Sequence, residues 1–430
     1  MVSVNQELVY VLGAGVGWKK GKNMSRLFRS LSPLAKGSWY YLGFYGVYGM
    51  FLPFINLYFR EELGFSGRQI GIFAMFSPIT ALTVAIPMAA LADRRHLRIP
   101  ILMGSLLCGS MMIFCMNFPH SFAALAPIWL IYTVFTSVAS PIADSLVARM
   151  SQRHQLNFGS MRLWGSASFA TSAIVGGLLW QRFGFRAMFI AAAVGFVCTV
   201  FFARKLEDVS KEEERQVKVP ARMALQDKGL VILIVTSFFL GIATNSSIVY
   251  DGIYMDTLGG GGFFVGLMFF LAAFSELPMM YLRGHIVKRL GTPYTLLCAF
   301  GFFLMAFGFY ATARHPGMLL IAAVFKGLGF GLFFSSAVQF ITERVPHQIA
   351  STAQSVFTAT MYGLAPLLAA PFAGELYDRF GVTTIFLMAS VAVFMAAAIL
   401  FSAIMSGMFK QGIPRYSAEP RRRREVPSSV

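Results

Sequence analysis

The stretch Gly177-Leu-Leu-Trp-Gln-Arg-Phe-Gly184 returns 197 residues later as Gly374-Glu-Leu-Tyr-Asp-Arg-Phe-Gly381. A second pair of matching positions lies at nearly the same offset, since Gly71 corresponds to Gly266 at a distance of 195 residues. Two anchors at almost one spacing are hard to attribute to composition. They predict that the chain is built from two copies of one plan.

The composition is that of a membrane protein. Hydrophobic residues make up 57% of the 430 residues and charged residues only 13%, and the mean hydropathy is +0.65. Runs of about 20 mostly apolar residues are long enough to cross a hydrocarbon core of about 30 Å. We therefore predict an all-α membrane protein with twelve transmembrane helices in two pseudo-symmetric six-helix bundles. The predicted spans are 38–59, 67–92, 99–118, 121–150, 157–180, 185–204, 229–257, 262–289, 292–313, 316–344, 348–375 and 381–408.

The segments around the spans predict the domain organisation. We expect a basic N-terminus at 1–37, a first bundle at 38–204, a linker at 205–228, a second bundle at 229–408 and a basic tail at 409–430. The linker is polar and predicts a solvated connection. Parallel repeats of this kind are typical of one large class of secondary transporters, in which the substrate site lies near mid-membrane between the halves.

The distribution of positive charge predicts the orientation. With the N-terminus inside, 28 of the 36 Lys and Arg residues fall on the cytoplasmic side, six fall in outer loops and two lie within spans. This bias is the positive-inside rule, so we expect an integral cell membrane protein with both termini in the cytoplasm. The same distribution argues against nucleic acid as a partner, although the net charge is +17. Membrane lipid is expected to contact the protein, and the Arg421–Arg424 run could bind anionic headgroups.

Five ionisable residues fall inside the predicted spans: Asp144, Arg162, Asp251, Glu276 and Lys326. A charge at the bilayer centre costs about 3 to 17 kcal/mol, so such residues are rare and usually functional. At about 1.5 Å per residue, Asp251 and Lys326 lie about 9 and 15 Å from the same face, close enough to pair. Asp144 and Arg162 lie toward the same ends of neighbouring spans, and we expect them to pair as well.

The spans then contain three acids and two bases. If each base pairs as described, Glu276 is left without a partner. Removal from water favours the neutral form of a lone carboxyl. A carboxyl that gains and loses a proton as access alternates could couple a proton gradient to transport, so Glu276 is the first candidate for proton carrier and Asp251 the second. The alternatives are that both ion pairs only hold helices together and that Glu276 is a protonated hydrogen-bond partner.

The loop after the second predicted span reads DRRHLR (93–98). Together with Ala89 it resembles, in degraded form, the G-x-x-x-D-[RK]-x-G-x-[RK] signature of the major facilitator superfamily. In that superfamily the loop latches the cytoplasmic ends of the two halves. The resemblance therefore implies that Asp93, Arg94 and Arg98 act in gating.

Three segments resemble the branch of this superfamily that contains lactose permease and phenylpropionate-transporter-like proteins. They are Gly49–Phe54 (GMFLPF), Gly71–Ala74 (GIFA) and Phe158–Ser166 (FGSMRLWGS). In lactose permease an acid that lies 18 residues before an arginine forms part of the sugar site, and Asp144 and Arg162 have this spacing. Phe169 stands at the sugar-stacking position, and Asp251 and Lys326 resemble the branch's cross-helix ion pair.

These observations predict a secondary active transporter of a small polar organic solute, which would be an organic acid, a sugar or a nucleoside. We expect proton-coupled symport by alternating access. A passive facilitator, an efflux carrier of the same fold and a non-transporting sensor are the alternatives. An enzyme is not expected, because the spans hold no His-rich or nucleophile-elbow motif.

The expected partners are the solute, protons and lipid, with no cofactor and no metal, and the chain is expected to function as a monomer. The candidate substrate contacts are Asp144, Arg162, Tyr45, Asn56, Trp164 and Phe169. The candidate proton-coupling residues are Glu276, Asp251 and Lys326.

Overall fold

The computed structural model describes residues 31–208, 227–345 and 347–409, and every regular element in these ranges is helical. Eleven helices of this described part are long and apolar enough to cross a membrane. They are α1 Pro33–Glu61, α2 Gly67–Arg94, α3 Arg98–Cys115, α4 Phe122–Arg153, α5 Phe158–Ala203, α6 Lys228–Thr257, α7 Gly261–Leu290, α8 Thr292–Thr312, α9 Pro316–Arg344, α10 over 347–380 and α11 Val382–Met405. Most of the predicted N-terminus, the middle of the predicted linker and residues 410–430 of the predicted tail, including Arg421–Arg424, lie outside the described residues.

The predicted spans 157–180 and 185–204 are joined in α5, which runs for 46 residues. At about 1.5 Å per residue this length is more than twice the thickness of a ~30 Å hydrocarbon core. Gly184 interrupts α5 with φ 75° and ψ 171°, a conformation that glycine adopts without strain. Gly381, its counterpart in the repeat, has φ 83° and ψ 175° and separates α10 from α11. The repeated Arg-Phe-Gly sequence thus makes the same backbone turn in both halves.

Polar side chains fix the beginnings of helices in both halves. Ser66 and Gln69 form a reciprocal capping box at the start of α2. The Asp227 carboxylate caps α6 by accepting a hydrogen bond from the Leu230 N–H at 2.8 Å. Each cap satisfies backbone N–H groups that have no partner within the helix, which typically stabilises a helix by about 1 kcal/mol.

One π-helical turn lies inside α2 and another inside α10, at Ala81–Ala85 and Thr360–Leu364. The two turns meet, because a Cβ added to Gly363 would stand 3.0 Å from a methyl carbon of Leu82. π-turns are rare and occur often at functional sites. Here they lie where a helix of the first half crosses a helix of the second.

The first half (31–208) packs on the second half (227–409) mainly through the helix pairs α1 with α6, α2 with α10, and α5 with α7. The halves approach most closely at the end of the bundle that holds the turns 61–67 and 257–261. We call this the closed end. The end at which α1 begins, at Pro33, is called the terminal end.

The glycines of the internal repeat make this close approach possible. An added Cβ would collide with a backbone carbonyl of the other half at each of four repeat positions: Gly71, Gly177, Gly266 and Gly374. The repeat offsets of 195 and 197 residues therefore connect positions at which the close packing of the two halves leaves space for glycine and for no larger residue.

At the terminal end, Glu207 ties the segment after α5 to α1 and α4. Its carboxylate lies 2.8 Å from Lys36 Nζ and 2.8 Å from His154 Nε2. The hydrogen bonds from Lys36 and His154 lower the pKa of Glu207. A carboxyl whose pKa is lower in the folded protein contributes stability above its unfolded pKa of about 4.3. That contribution is lost as the pH falls through the folded value.

We expect Glu207→Gln to lower the free energy of unfolding at neutral pH by about 1 kcal/mol or less. The effect is small because the carboxylate is 26% exposed, and ion pairs near water contribute little. The difference from wild type should shrink as the pH falls below about 4. Thermal unfolding in detergent over a pH series measures it. A difference that stays constant at all pH values would show that the Glu207 ion pair contributes nothing.

Candidate substrate and proton site

A cavity of about 240 Å³ lies among helices of the second half and reaches the first half at Phe169. Three of the ionisable residues predicted inside spans line it: Asp251, Glu276 and Lys326. Most of the remaining wall is apolar or aromatic, and includes Ile248, Met268, Phe269, Ala272, Ala273, Phe303, Ala323 and Phe330. Charges in such surroundings interact more strongly than charges in water.

The cavity is less evenly shared between the halves than the sequence predicted. In the described wall, Phe169 is the contribution of the first half, and its ring centroid lies 6.5 Å from that of Phe269 on α7. Next to Phe169, α5 packs closely on α7, since a Cβ added to Gly266 would stand 2.2 Å from the Ala173 carbonyl oxygen.

Asp251 and Lys326 form the predicted ion pair between α6 and α9. The Asp251 side chain is 2% exposed and that of Lys326 15%. Ser247 completes the arrangement, because its hydroxyl donates to Asp251 Oδ1 at 2.7 Å and accepts from Lys326 Nζ at 3.0 Å. Sequence reasoning missed Ser247, although its position four residues before Asp251 places both side chains on one face of the helix.

Glu276 has no ion pair and no side-chain hydrogen bond within the described ranges. Two cations, Lys326 and Arg162, lie close enough for their charge to act on its carboxyl. The α7 backbone at Glu276 packs tightly on α9, since a Cβ added to Gly331 would stand 3.0 Å from the Glu276 Cα. The packing of α7 on α9 therefore fixes the backbone of Glu276 at the cavity wall, and its carboxyl oxygens have no hydrogen-bond partner among the described residues.

The predicted ion pair between Asp144 and Arg162 is wrong. The Tyr41 hydroxyl donates to Asp144 Oδ1 at 2.6 Å. The Arg162 guanidinium stacks on the ring of Tyr45, with its Cζ 3.9 Å from the centroid, and lies 5.6 Å from that of Tyr41. Position along the helices predicts that the two charges lie at the same depth. It does not predict which other side chains lie between them. Here α1 places tyrosines there, so a cation–π contact replaces the ion pair.

The other candidate substrate contacts are spread over the first half. Tyr45 packs against Tyr41 with a centroid distance of 6.0 Å. Asn56 and Trp164 are half-buried, and both lie away from the described cavity wall. Of the first-half candidates, Phe169 alone is part of that wall as described.

The candidate gating residues lie at the terminal end of the first half. Arg98 is buried between Asp93 and Asp208, with a nitrogen–oxygen distance of 2.5 Å to each carboxylate. Arg149 also approaches Asp93, at 3.4 Å. Arg94 is exposed. Asp93 and Arg98 thus belong to one charged network that joins α2, α3 and α4 to the segment after α5.

The sequence matches the MFS_1 like family over residues 34–388. The chain belongs to this family. It is therefore a transporter of the major facilitator superfamily, as the resemblance of its loop and helix segments implied, and this family is not enzymatic.

Several transporters match this chain over most of their length. The maltose permease of Geobacillus stearothermophilus is 26% identical over 372 residues, which are 84% of this chain and 92% of the permease. The "Probable 3-phenylpropionic acid transporter" of Escherichia coli (strain K12) is 23% identical over 364 residues, which are 82% and 93% of the two chains. The crystal structure of the nucleoside transporter NupG superposes with a TM-score of 0.75 at 15% identity and covers 88% of this chain and 100% of NupG. The last comparison establishes the fold.

Two tyrosines that the sequence analysis did not predict as site residues line the cavity. Tyr310 on α8 is fully buried, and Lys326 Nζ lies 5.8 Å from the centroid of its ring. Tyr362 lies in the π-turn of α10, on the side of the cavity that holds Glu276. A tyrosine inside an apolar span was the available signal, because its hydroxyl needs a polar surrounding.

Proposed function

We propose that the protein is a proton-coupled symporter of a small polar organic solute, which is an organic acid, a sugar or a nucleoside. The observation that carries this proposal is the contrast inside one cavity between a closed ion pair, Asp251 with Lys326, and the unpartnered carboxyl of Glu276. Protonating a paired carboxylate would leave the opposite charge buried and uncompensated, which is costly. Protonating Glu276 breaks no direct ion pair among the described residues.

The proposed topology has twelve crossings, with Gly184 dividing α5 into two of them and each half contributing six. The excess of Lys and Arg supports a cytoplasmic location for both termini and for the 205–228 linker. The terminal end then faces the cytoplasm and the closed end faces outward. On this assignment we propose that the closed end seals the outer side, as in an inward-facing state of alternating access.

In the proposed cycle, Glu276 takes a proton when the closed end opens, and its neutral carboxyl donates a hydrogen bond to the solute. Return to the inward-facing state exposes Glu276 to the cytoplasm, where proton and solute leave. The Asp251–Lys326 pair holds α6 against α9 throughout. The charged network of Asp93 and Arg98 is proposed to regulate the terminal end, together with Arg94.

The first half is proposed to supply the remaining solute contacts. Phe169 lines the cavity, and Arg162 lies close enough to act electrostatically on Glu276. The hydrogen bond from Tyr41 to Asp144 and the contact of Arg162 with Tyr45 keep these side chains in one polar group. The roles of Asn56 and Trp164 stay predictions from the resemblance, as do a monomeric state and lipid contact.

A thermal-shift screen of the purified protein against maltose, uridine and 3-phenylpropionate tests the proposal. A ligand at about 100 times its Kd stabilises the state that it binds by about 2.7 kcal/mol. We expect one of the three solutes to stabilise the protein and to do so more strongly as the pH is lowered, because proton and solute bind together. If none of them shifts the unfolding temperature at any pH, the proposed substrate classes are wrong.

A further inference from the structure

Two equivalent contacts close the bundle at the closed end, and they differ in one residue. The first turn of α2 packs on the end of α10, and the first turn of α7 packs on α5. In the internal repeat, Gly67 on α2 corresponds to Gly262 on α7, 195 residues later. Asp378 on α10 corresponds to Gln181 on α5, 197 residues earlier. A carboxylate therefore stands at one contact and a neutral amide at the other.

The Asp378 carboxylate caps α2 from the opposite half of the molecule. Its two oxygens accept hydrogen bonds from the backbone N–H groups of Gly67 at 2.6 Å and Arg68 at 2.9 Å. The third N–H of this helix, that of Gln69, is bound by the Ser66 hydroxyl at 3.2 Å. The first N–H groups of a helix have no partner within it and carry a partial positive charge, so an anion placed there is stabilising.

Neighbouring contacts hold the two halves in the same register. The Tyr250 hydroxyl on α6 donates to the Gly67 carbonyl at 2.9 Å. The Tyr250 ring stacks on that of Tyr377, with a centroid distance of 5.2 Å, and the Arg60 guanidinium lies 5.3 Å from the Tyr377 centroid. The backbone of α2 at Gly67 is thus bound through both its N–H and its carbonyl to the second half.

The equivalent contact between α5 and α7 has the close glycine packing without the charge. A Cβ added to Gly261 would stand 3.2 Å from Gln181 Nε2, so the amide lies beside the first turn of α7. The N-cap residue of α7, Gly260, provides no side-chain hydrogen bond. An amide carries no net charge with which to stabilise the helix N-terminus.

We infer that Asp378 is a latch residue, which holds the closed end shut by capping α2 across the two halves, and that Gln181 is its uncharged counterpart. Separation of α2 from α10 must break two charge-assisted hydrogen bonds and leave both N–H groups to water. Among the described residues, separation of α5 from α7 breaks packing contacts and no hydrogen bond. This asymmetry makes the charge at position 378 a determinant of how often the closed end opens.

The reciprocal exchange of the two side chains tests the latch. A cysteine that replaces Ala273 in the cavity wall, in a protein whose four natural cysteines are serine, reports opening through its rate of reaction with a membrane-impermeant maleimide. A separate Glu62→Cys variant, in the exposed 61–67 turn, identifies the vesicle face from which the reagent reaches the closed end. Asp378→Asn should raise the rate from that face about fivefold, and Gln181→Glu should lower it by a similar factor.

The double exchange should restore a rate near that of the parent protein. Glu375→Gln is the matched control, because Glu375 is an acid on the same helix, is paired with Arg379, and makes no hydrogen bond or ion pair to α2 in the described structure. Thermal unfolding of each variant separates a gating change from a folding defect. If the two single exchanges leave the rate unchanged, or shift it in the same direction, the latch assignment is wrong. The assay uses neither solute nor proton gradient, so its outcome is independent of the proposed symport.

Discussion

Glu276→Gln is expected to abolish uphill accumulation of solute while leaving the exchange of internal for external solute intact. Exchange requires binding and alternation of the cavity, whereas accumulation also requires a group that carries the proton. A tenfold concentration ratio corresponds to about 1.4 kcal/mol, which one pH unit supplies. With an imposed gradient of about two pH units, wild-type proteoliposomes should reach up to about 100-fold accumulation. The variant should stop at equal concentrations inside and outside.

The matched control for this experiment is Glu343→Gln. Glu343 lies on α9, is exposed, and accepts a hydrogen bond from Gln339 away from the cavity. The Glu343→Gln variant should accumulate solute as wild type does. If Glu276→Gln still accumulates solute, Glu276 is not the proton carrier, and Asp251 is the next candidate. The solute for both measurements is the one that stabilises the protein in the thermal-shift screen.

The second large effect is expected from breaking the Asp251–Lys326 pair. Asp251→Asn leaves the ammonium of Lys326 without its counter-charge at a site where its side chain is 15% exposed. Removal of one partner from a buried ion pair typically costs about 3 to 5 kcal/mol. The Ser247 hydroxyl bonds both partners and cannot replace the lost charge. Thermal unfolding in detergent should therefore show a large loss of stability.

The double variant Asp251→Asn with Lys326→Met separates architecture from function. With both charges gone, most of the lost stability should return, because neither member of the pair is left buried without its counter-charge. If the double variant is stable and also transports, the pair is architectural. A single Asp251→Asn variant as stable as wild type would contradict the account of a closed, buried pair.

The sequence predicted the architecture well because the relevant signals are one-dimensional. Span length and the repeat offsets were enough to predict the helices and the correspondence of Gly184 with Gly381. The Asp251–Lys326 pair was predicted from depth along two spans, and the prediction is confirmed because the two side chains also face each other. The number of membrane-crossing helices is eleven by length and composition, with α5 counted once across Gly184.

The same reasoning failed where angular position around a helix decides the contact. Asp144 and Arg162 are level with each other, but Tyr41 occupies the space between them and takes the carboxylate. The π-turns in α2 and α10 shift the register of each helix by one residue, and the period of the apolar residues does not reveal this shift. The aromatic wall of the cavity likewise depends on which residues of five helices converge, which no single span encodes.

The latch at Asp378 illustrates a third case. The octapeptide repeat was visible in the sequence, and the replacement of Gln181 by Asp378 within it was visible too. Its meaning required the structure, because the partner of Asp378 is the backbone of Gly67 and Arg68 rather than a side chain. Backbone donors leave no mark in a sequence.

Proton movement during solute entry tests the central claim most directly. Wild-type protein is reconstituted into liposomes that enclose a pH-sensitive dye, with equal pH inside and outside, and the stabilising solute is added outside. Symport through Glu276 predicts that the lumen becomes more acidic as solute enters, and that Glu276→Gln removes this acidification. Solute entry with no change of internal pH would contradict proton-coupled transport and would identify the protein as a passive facilitator.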